Sequence, residues 1–459
     1  MAEWSRDRQT LVAVMLATFA LGWAYAVRTP PWQAPDEPAH FNVVAHVAAS
    51  PLDLPRLEAD AYSQATIEEL TRQRFPAHLP IDSLRYEHYQ PPLYYYLAAA
   101  AFRLAGSETR EQLLLIRFLG VLLGATTVAL AWQIARAVIP DDKTLAVASA
   151  AFVGFLPMRL AATAAASNDA LAHPLAALAL LLAVWHATGR LNGIRFVATA
   201  AAVMAAALLT KVSAAPAVVA LAVAVVARWH TVGRGAPTAA LHAIATLSAM
   251  LALAAVPVVP WLARNARVYG GLDVLGTRAH DRAVVGQPRT VDWIASEGLG
   301  AWMERFVVFT FQSFWGVFGW LAVFMDRRIY VALAAWSAVA LLCGAGHVWR
   351  LWTRQAPAAR RARPALAVLG LALALNILMY VAYNALYVQH QGRYLLVSLP
   401  VIALLLGLGV RDSARWTAAA VGLGGVRFAV GRIALCGSCV AMAGLAWLAL
   451  VRYVVPGLS

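Results

Sequence analysis

The chain has few charged residues and few cysteines for its length. Asp, Glu, Lys and Arg make up 13% of its 459 residues, whereas 61% are hydrophobic. Soluble domains carry roughly 25% charged and 45–50% apolar residues, so this composition excludes a soluble enzyme and a disordered protein. The three cysteines, Cys343, Cys436 and Cys439, are too few for a disulfide scaffold. A mean hydropathy of +0.65 is instead typical of a polytopic membrane protein.

The sequence also lacks a G-x-x-x-x-G-K phosphate-binding loop and any visible internal repeat. The first absence disfavours ATP-driven work, and the second disfavours a transporter built from inverted repeats. A net charge of +14 would suggest a nucleic-acid partner in a soluble protein. Here the basic residues cluster in short loops between apolar runs, so the charge indicates membrane topology and no nucleic-acid partner.

Apolar runs of membrane-spanning length recur along the chain. Since a span needs about 20 apolar residues, the pattern predicts about eleven transmembrane helices. They lie near residues 10–27, 113–135, 145–166, 170–188, 196–210, 213–227, 240–261, 329–348, 365–386, 395–410 and 433–451. The predicted fold is therefore an all-α polytopic membrane protein, with residues 1–459 as a single integral membrane domain.

The distribution of charge predicts the orientation. Arg and Lys concentrate in short loops on one side, most densely at Arg360-Arg361-Ala362-Arg363. The positive-inside rule places these loops and the N-terminus in the cytoplasm. Two long segments, residues 28–112 and 262–328, then face outside, hold most of the acidic residues and are expected to carry amphipathic helices. We therefore expect the active site to face the outside of a cell membrane.

A proline-rich segment after the first span carries two adjacent carboxylates, Asp36 and Glu37. One interpretation is structural: Asp36 caps a helix whose early positions hold Glu37 and Pro38. The other is catalytic, because a carboxylate held at the membrane surface could take a proton from an attacking hydroxyl. His40, four residues after Asp36, would lie on the same helical face. The spacing alone leaves both interpretations open.

A second segment, from Arg85 to Tyr96, begins an amphipathic stretch that ends near Gly106. Its tyrosines are typical of the aromatic belt at a membrane surface. Alternatively, Arg85, His88 and Gln90 could donate hydrogen bonds to a phosphate at that surface.

Further polar residues lie at the predicted outer ends of spans. They are Asn168, Asp169, Lys211, Arg264, Asn265, Arg267, Gln391 and Arg393, with Arg117 and Arg159 slightly deeper. A single Arg at a span end commonly extends to the interface, whereas charges within a span usually face a cavity or a partner. Their shared side favours a common outer site.

In order and spacing these motifs resemble the integral-membrane GT-C glycosyltransferases. The resemblance is to the protein O-mannosyltransferase and lipid A aminoarabinose transferase branch, and to a related group of bacterial membrane proteins. The matching motifs are Asp36 to Phe41, His88 to Tyr95, Asn168-Asp169, Phe314 to Trp320 and Gln391 to Tyr394. The resemblance extends from residue 10 to about residue 410, and the order of the motifs makes it more specific than any one of them.

The resemblance implies a GT-C-like bundle and an inverting transfer of sugar from a polyprenyl-phosphate donor in the outer leaflet. It makes Asp36 the candidate general base, with Glu37 in support. The candidate ligands of the donor phosphate are His88, Gln90, Lys211, Arg264 and Arg393. The candidate sugar- or acceptor-binding residues are His40, Tyr94, Asn168, Asp169 and Gln391. The aminoarabinose branch has Lys-Pro-Pro-Leu where this chain has Gln90-Pro91-Pro92-Leu93, so one charged phosphate contact is missing here. His88, Lys211, Arg264 or Arg393 could replace it.

Other classes of function stay open. A non-enzymatic membrane subunit could ligate haem or chlorophyll through histidines in or near spans. These are His173, His186, His242 and His347. A lipid or polysaccharide transporter, or a scaffold that kept the fold and lost the chemistry, are further alternatives. Asp36, Glu37 and His40 could hold a divalent metal ion, although hard cations prefer about six oxygen ligands. The sugar and the acceptor are undetermined.

Overall fold

The computed structural model describes residues 6–76, 78–232 and 237–458, which form a bundle of helices with one short β-hairpin. The helices are α1 (Arg6–Arg28), α2 (Glu37–Ala49), α3 (Gln64–Arg72), α4 (Leu93–Leu104), α5 (Thr109–Val138), α6 (Lys143–Phe155), α7 (Pro157–Thr163), α8 (Asp169–Ala187), α9 (Gly193–Leu208), α10 (Ala215–Val232), α11 (Pro237–Tyr269), α12 (Thr277–Ala283), α13 (Thr290–Glu297), α14 (Leu299–Trp315), α15 (Arg327–Thr353), α16 (Pro357–Asn384), α17 (Leu399–Ala420), α18 (Arg427–Ala449) and α19 (Val455–Leu458). The hairpin pairs β1 (Val317–Phe318) with β2 (Val323–Phe324) in antiparallel register. Short 3₁₀ turns precede α10, α17 and α18, and a π-helical turn, Leu450–Val454, precedes α19.

In these ranges, nine helices are long and apolar enough to cross a membrane. They contain α1, α5, α8, α10, α11, α15, α16, α17 and α18. The remaining two predicted runs are a broken helix pair, α6 and α7, and the shorter apolar helix α9. The prediction of an all-α polytopic membrane protein is therefore confirmed, with two of the predicted spans broken or short.

The break between α6 and α7 has a local cause. The two helices meet at an angle of 58°, with Leu156 in an extended conformation and Pro157 as the first residue of α7. Proline lacks the N–H needed to continue the preceding helix, and it disfavours helical geometry in the residue before it. Helix α7 therefore runs in a different direction from α6.

The two long segments carry short helices, as expected. Residues 28–112 contain α2, α3 and α4, and residues 262–328 contain α12, α13, α14 and the hairpin. Buried side chains of α2, such as Phe41 and Val44, pack with Tyr94 and Tyr95 of α4 against the neighbouring ends of α5 and α8. This apolar contact fixes the first long segment on one end of the bundle, and the residues between α1 and α2 lie beside it.

Candidate active site

Asp36 lies at the start of α2 and points away from that helix. Its backbone is left-handed, with φ 67°, and its side chain makes no hydrogen bond to the first turn. The capping interpretation is therefore wrong for this side chain. Instead, Oδ2 accepts a hydrogen bond from Arg393 Nη2 at 2.8 Å, and Oδ1 accepts one from the Tyr86 hydroxyl at 3.2 Å. A left-handed backbone is uncommon outside glycine, and such strained residues often occur at functional sites.

Two opposing effects set the acidity of Asp36. Burial raises the pKa of the carboxyl, whereas the charge of Arg393 and its hydrogen bond lower it. The charges of His40 and Lys211 also act to lower it. The attractive effects prevail, so the pKa of Asp36 lies below the ordinary value of an aspartate. The side chain is thus a carboxylate at neutral pH, the form that can accept a proton.

The adjacent Glu37 is in a different environment. Its side chain is fully buried and forms a two-point ion pair with Arg117, at 2.8 Å to Nε and 2.6 Å to Nη2. It also accepts hydrogen bonds from the backbone N–H groups of Trp32 and Ala166, each at 3.0 Å. The two predicted acids therefore have different partners. Asp36 pairs with Arg393 next to a cavity, whereas Glu37 is surrounded by four hydrogen-bond donors.

Arg117 joins this buried pair to the turn after α1. Its Nη1 donates to the carbonyls of Ala26 at 2.8 Å and Thr29 at 2.7 Å, and its Nη2 donates to Pro30 at 3.1 Å. The guanidinium of α5 therefore fixes both the end of α1 and the first turn of α2. The position of Asp36, between these two elements, follows from that network.

A second ion pair involves two predicted site residues, Asp169 and Lys211. Lys211 Nζ lies 2.7 Å from Asp169 Oδ1, and His173, one turn further along α8, lies 4.0 Å from the same oxygen. Beside it, Asn168 donates to Gln90 Oε1 at 3.2 Å. Gln90 thus takes part in a polar contact in the position where the aminoarabinose branch has lysine.

The Gln391-Gly392-Arg393 segment reaches Asp36 because it packs against α14. The Gly392 N–H donates to Ser313 Oγ at 2.8 Å. A Cβ atom at position 392 would collide with the Thr310 carbonyl oxygen and the Phe314 nitrogen. Glycine is therefore required for this close backbone approach, and the approach places Arg393 across from Asp36. Arg393 Nε is buried and has no hydrogen-bond partner among the described residues.

A cavity opens between these charged groups and the neighbouring helix ends. Gln33, Asp169 and Arg393 form its polar side, together with the backbone around Pro35, which directly precedes Asp36. Its other walls come from α7, the β-hairpin and the C-terminal turn. The predicted Asp36, Asp169, Lys211 and Arg393 are thus brought together at one end of the bundle.

The sequence interpretation missed Glu87, which lies beside this group. Its side chain is buried and its Oε2 has no hydrogen-bond partner among the described residues. Burial raises the pKa of Glu87, and the charge of Asp36 acts in the same direction. Tyr86, its neighbour in sequence, donates to Asp36. Glu87 lies within the segment from Arg85 to Tyr96, between the cationic and amide side chains that predicted a phosphate contact.

Other predicted residues hold the first long segment in place. Arg264 donates to the carbonyls of Leu54 at 2.8 Å and Pro55 at 2.7 Å, rather than to the group around Asp36. The His88 ring packs 6.0 Å from the His46 ring. Tyr94 is fully buried in the apolar contact of α2 with α4. For these side chains the observed contacts are structural.

Two further predicted residues bind protein groups near the site. His40 Nδ1 and the Tyr95 hydroxyl are 2.8 Å apart, and burial lowers the pKa of His40. Gln391 is buried and donates to Gln389 Oε1 at 2.6 Å. Neither side chain contacts Asp36 through a hydrogen bond.

The suggested metal site does not fit the geometry, and the histidines suggested as haem ligands are dispersed over different contacts. Glu37 points to Arg117 and His40 to Tyr95, so Asp36, Glu37 and His40 do not converge. Within the described ranges, no three His, Cys, Asp or Glu side chains are placed to hold a metal ion. The His186 ring stacks on the Phe196 ring, with the ring centroids 3.8 Å apart. His242 Nδ1 is hydrogen-bonded to the Thr238 carbonyl oxygen at 2.6 Å, and His347 Nδ1 to the Asp412 carboxylate at 2.8 Å.

The middle of the chain matches a known protein family in sequence. Residues 89–261 match the family described as dolichyl-phosphate-mannose-protein mannosyltransferase. That stretch includes Gln90, Asp169 and Lys211 but neither Asp36 nor Arg393. No curated protein sequence matches the chain.

Among solved structures, the chain is similar to the Archaeoglobus fulgidus oligosaccharyltransferase tethered to an acceptor peptide. The TM-score is 0.50 at 14% identity, over 96% of this chain and 55% of that one. It is also similar to apo ArnT from Cupriavidus metallidurans, with a TM-score of 0.51 at 15% identity over 97% and 73% of the two chains. The same ArnT bound to undecaprenyl phosphate gives a TM-score of 0.46 at 16% identity over 97% and 73%.

The chain spans about half the length of the oligosaccharyltransferase that it matches. At these identities the structural likeness establishes the fold, while the family match adds a resemblance in sequence over the middle of the chain. Both comparisons confirm the resemblance drawn from the motifs, the first in sequence over residues 89–261 and the second in the fold. The chain is a polytopic membrane protein with the fold of the GT-C membrane glycosyltransferases, and its residues 89–261 resemble their protein mannosyltransferase family.

Proposed function

We propose that this protein is an inverting glycosyltransferase that takes a sugar from a polyprenyl-phosphate donor in the outer leaflet, with Asp36 as the general base. The observation that supports it best is the position of Asp36. The carboxylate lies beside a cavity, 2.8 Å from Arg393 and on the same end of the bundle as the Asp169–Lys211 pair. The donor class follows from the resemblance in motifs, and the outer location follows from the charge of the short loops.

The transfer can be written with these groups. The acceptor hydroxyl oxygen forms a bond to the anomeric carbon while the bond from that carbon to the phosphate oxygen breaks. The hydroxyl proton passes to Asp36, and the electron pair of the broken bond leaves with the polyprenyl phosphate. Attack opposite the leaving group inverts the anomeric carbon. Although Arg393 and Tyr86 already donate to Asp36, a carboxylate has about four acceptor positions and can still receive a proton.

Arg393 and Lys211 are the proposed partners of the phosphate. Negative charge develops on the leaving group, and fixed cations in a site shielded from water stabilise such charge. Each of the two is paired with a carboxylate. The Nε–H of Arg393 has no hydrogen-bond partner among the described residues and could bind a phosphate oxygen. They replace the lysine that the aminoarabinose branch carries where this chain has Gln90.

Glu37 and Arg117 have a positioning role in this proposal. They fix the turn that holds Asp36 and do not face the cavity.

The experiment measures sugar transfer in proteoliposomes from a radiolabelled polyprenyl-phosphate sugar, with a membrane extract that contains acceptors. Asp36→Asn keeps the size of the side chain, and Asn tolerates a left-handed backbone. We expect normal expression and donor binding, with transfer reduced roughly 10²–10⁴-fold, as for loss of a general base. Asp53→Asn, an exposed acid of the same segment, is the matched control and should retain full activity. Wild-type turnover in Asp36→Asn would refute the assignment.

A further inference from the structure

A cluster of arginines lies at the end of the bundle that is remote from Asp36. Helix α17 begins at Leu399, shortly after Arg393, the partner of Asp36, and its second half carries Arg411 and Arg415. At 1.5 Å per residue, Arg415 lies about 24 Å along the helix axis from Leu399. The cluster is therefore separate from the candidate active site and lies on the side predicted to be cytoplasmic.

One part of this cluster is neutralised by carboxylates. Arg411 donates to Asp142 Oδ2 at 2.9 Å and to Asp412 Oδ1 at 3.0 Å. From α15, Arg350 donates to Asp412 Oδ2 at 2.6 Å, and His347 Nδ1 is hydrogen-bonded to the same oxygen at 2.8 Å. Each of the two aspartates is thus already paired with an arginine.

Two further arginines, Arg415 and Arg427, lack a close carboxylate. The Nη1 atom of Arg415 lies 4.0 Å from Asp412 Oδ1, which is too long for a hydrogen bond. Its buried Nε has no hydrogen-bond partner among the described residues, and the exposed Arg427 forms no ion pair with them. Both guanidinium groups instead lie over the Phe428 ring, at 4.8 Å and 5.0 Å from its centroid. Positive charge is therefore in excess around Phe428.

The contact between α17 and α18 holds Arg415 in this position. A Cβ atom at Gly431 would lie 2.9 Å from Nε and 3.0 Å from Cγ of Arg415. A larger residue there would displace the arginine side chain, whereas glycine leaves space for it between the two helices. The charges of Arg411 and Arg427 both act on Arg415, and like charges at close range repel each other. An anion bound between Arg415 and Arg427 would relieve that repulsion.

The surface next to these two arginines is aromatic and apolar. Trp416 and Phe428 are 48% and 56% exposed, and Val426 is 52% exposed. Tryptophan at the end of a span is typical of the level of the lipid head groups. A soluble anion would use only the cations, whereas a lipid would also cover the exposed rings. Both features together favour a lipid with a negatively charged head group.

We propose that Arg415 and Arg427 bind the phosphate of an anionic phospholipid, with Trp416 and Phe428 against its glycerol and the first carbons of its acyl chains. A guanidinium group presents a fork of N–H donors that matches the oxygens of a phosphate. Basic pockets between helices on the cytoplasmic side of a membrane are suited to such head groups. The inference is independent of the proposed function, because it uses no residue of the candidate active site.

The first test measures lipid binding to the purified full chain by native mass spectrometry. An uncharged detergent is used, so that no charged surface attracts the protein and only lipid contacts contribute. Phosphatidylglycerol is compared with phosphatidylcholine of the same acyl chains and with inorganic phosphate. We expect saturable binding of phosphatidylglycerol, with a Kd about ten times lower than that of phosphatidylcholine. Equal binding of the two lipids would overturn the inference. Inorganic phosphate that displaces phosphatidylglycerol with equal affinity would overturn it too and would indicate a site for soluble anions.

The second test uses two matched double variants. Arg415→Gln/Arg427→Gln removes the proposed phosphate ligands. Arg360→Gln/Arg361→Gln removes two exposed arginines from the start of α16, on the same predicted side of the membrane. Since each arginine near an anionic lipid contributes about a factor of five in affinity, we expect the first variant to raise the Kd for phosphatidylglycerol roughly 10–30-fold. The second should change it less than about twofold. Equal effects of the two variants would refute a specific site and indicate a general attraction to basic residues.

A third measurement needs no substitution and applies even if the first variant does not fold. Phosphatidylglycerol with a diazirine in its head group is bound to the unmodified protein, photolysed and mapped by peptide mass spectrometry. We expect labelling within residues 415–431 that unlabelled phosphatidylglycerol reduces. Labelling confined to other segments, or labelling without competition, would overturn the inference.

Discussion

Glu37→Gln should destabilise the protein strongly, although the two side chains have nearly the same size. Glu37 and Arg117 are 0% and 2% exposed, so water does not screen their attraction. The carboxylate accepts four hydrogen bonds, two from Arg117 and one each from the N–H groups of Trp32 and Ala166. A glutamine has one carbonyl oxygen, so its amide NH₂ must face at least one of these donors.

The size of the effect follows from the burial of the pair. Removing one partner of a buried ion pair costs about 3–5 kcal/mol, because the other charge is left without compensation. Since glutamine keeps one acceptor oxygen, we expect the lower part of that range, about 3 kcal/mol. Asp36→Asn is the internal control: its side chain is 31% exposed, so its stability should change little while transfer is lost.

The assay is thermal or denaturant unfolding of detergent-purified protein, followed by tryptophan fluorescence, for Glu37→Gln, Arg117→Met and the double variant. Because the two residues contact each other directly, the double variant should lose less stability than the sum of the single losses, by about 0.5–3 kcal/mol. A Glu37→Gln protein with wild-type stability and no transfer activity would refute the structural role and assign Glu37 to the chemistry.

Three further predictions concern topology, acidity and stability. A cysteine introduced at the exposed Asp53 should react with an impermeant maleimide added outside cells, whereas one at the exposed Ala358 should react only after permeabilisation. The reverse pattern of labelling would contradict the predicted orientation. Arg393→Ala should move the acidic limb of the transfer pH profile to higher pH, because burial raises the pKa of Asp36 once its main cation is removed; an unchanged limb would contradict the pairing. Burial lowers the pKa of His88 to about 4, so the folded state favours the neutral ring, and its contribution to stability should be lost as pH falls from about 6.5 towards 4. His88→Gln should flatten that loss in unfolding curves measured between these pH values, and an equal loss in both proteins would contradict it.

The sequence alone determined the membrane architecture, because each span carries its own signal. A run of about 20 apolar residues is favourable in a bilayer whatever its neighbours are. The resemblance in motifs was likewise readable along the chain, and Pro157 explains the break between α6 and α7. Asp36 was also predicted from the sequence as a candidate base, although its spacing fitted a helix cap equally well.

The tertiary structure decided the separate environments of Asp36 and Glu37. The partners that distinguish them, Arg393 and Arg117, are 357 and 80 residues away along the chain, and local spacing contains no information about such pairings. The same holds for Arg264, an equally plausible phosphate ligand in sequence, whose guanidinium meets the carbonyls of Leu54 and Pro55. A carboxylate takes its role from the charges and burial around it, and these exist only once the helices have packed.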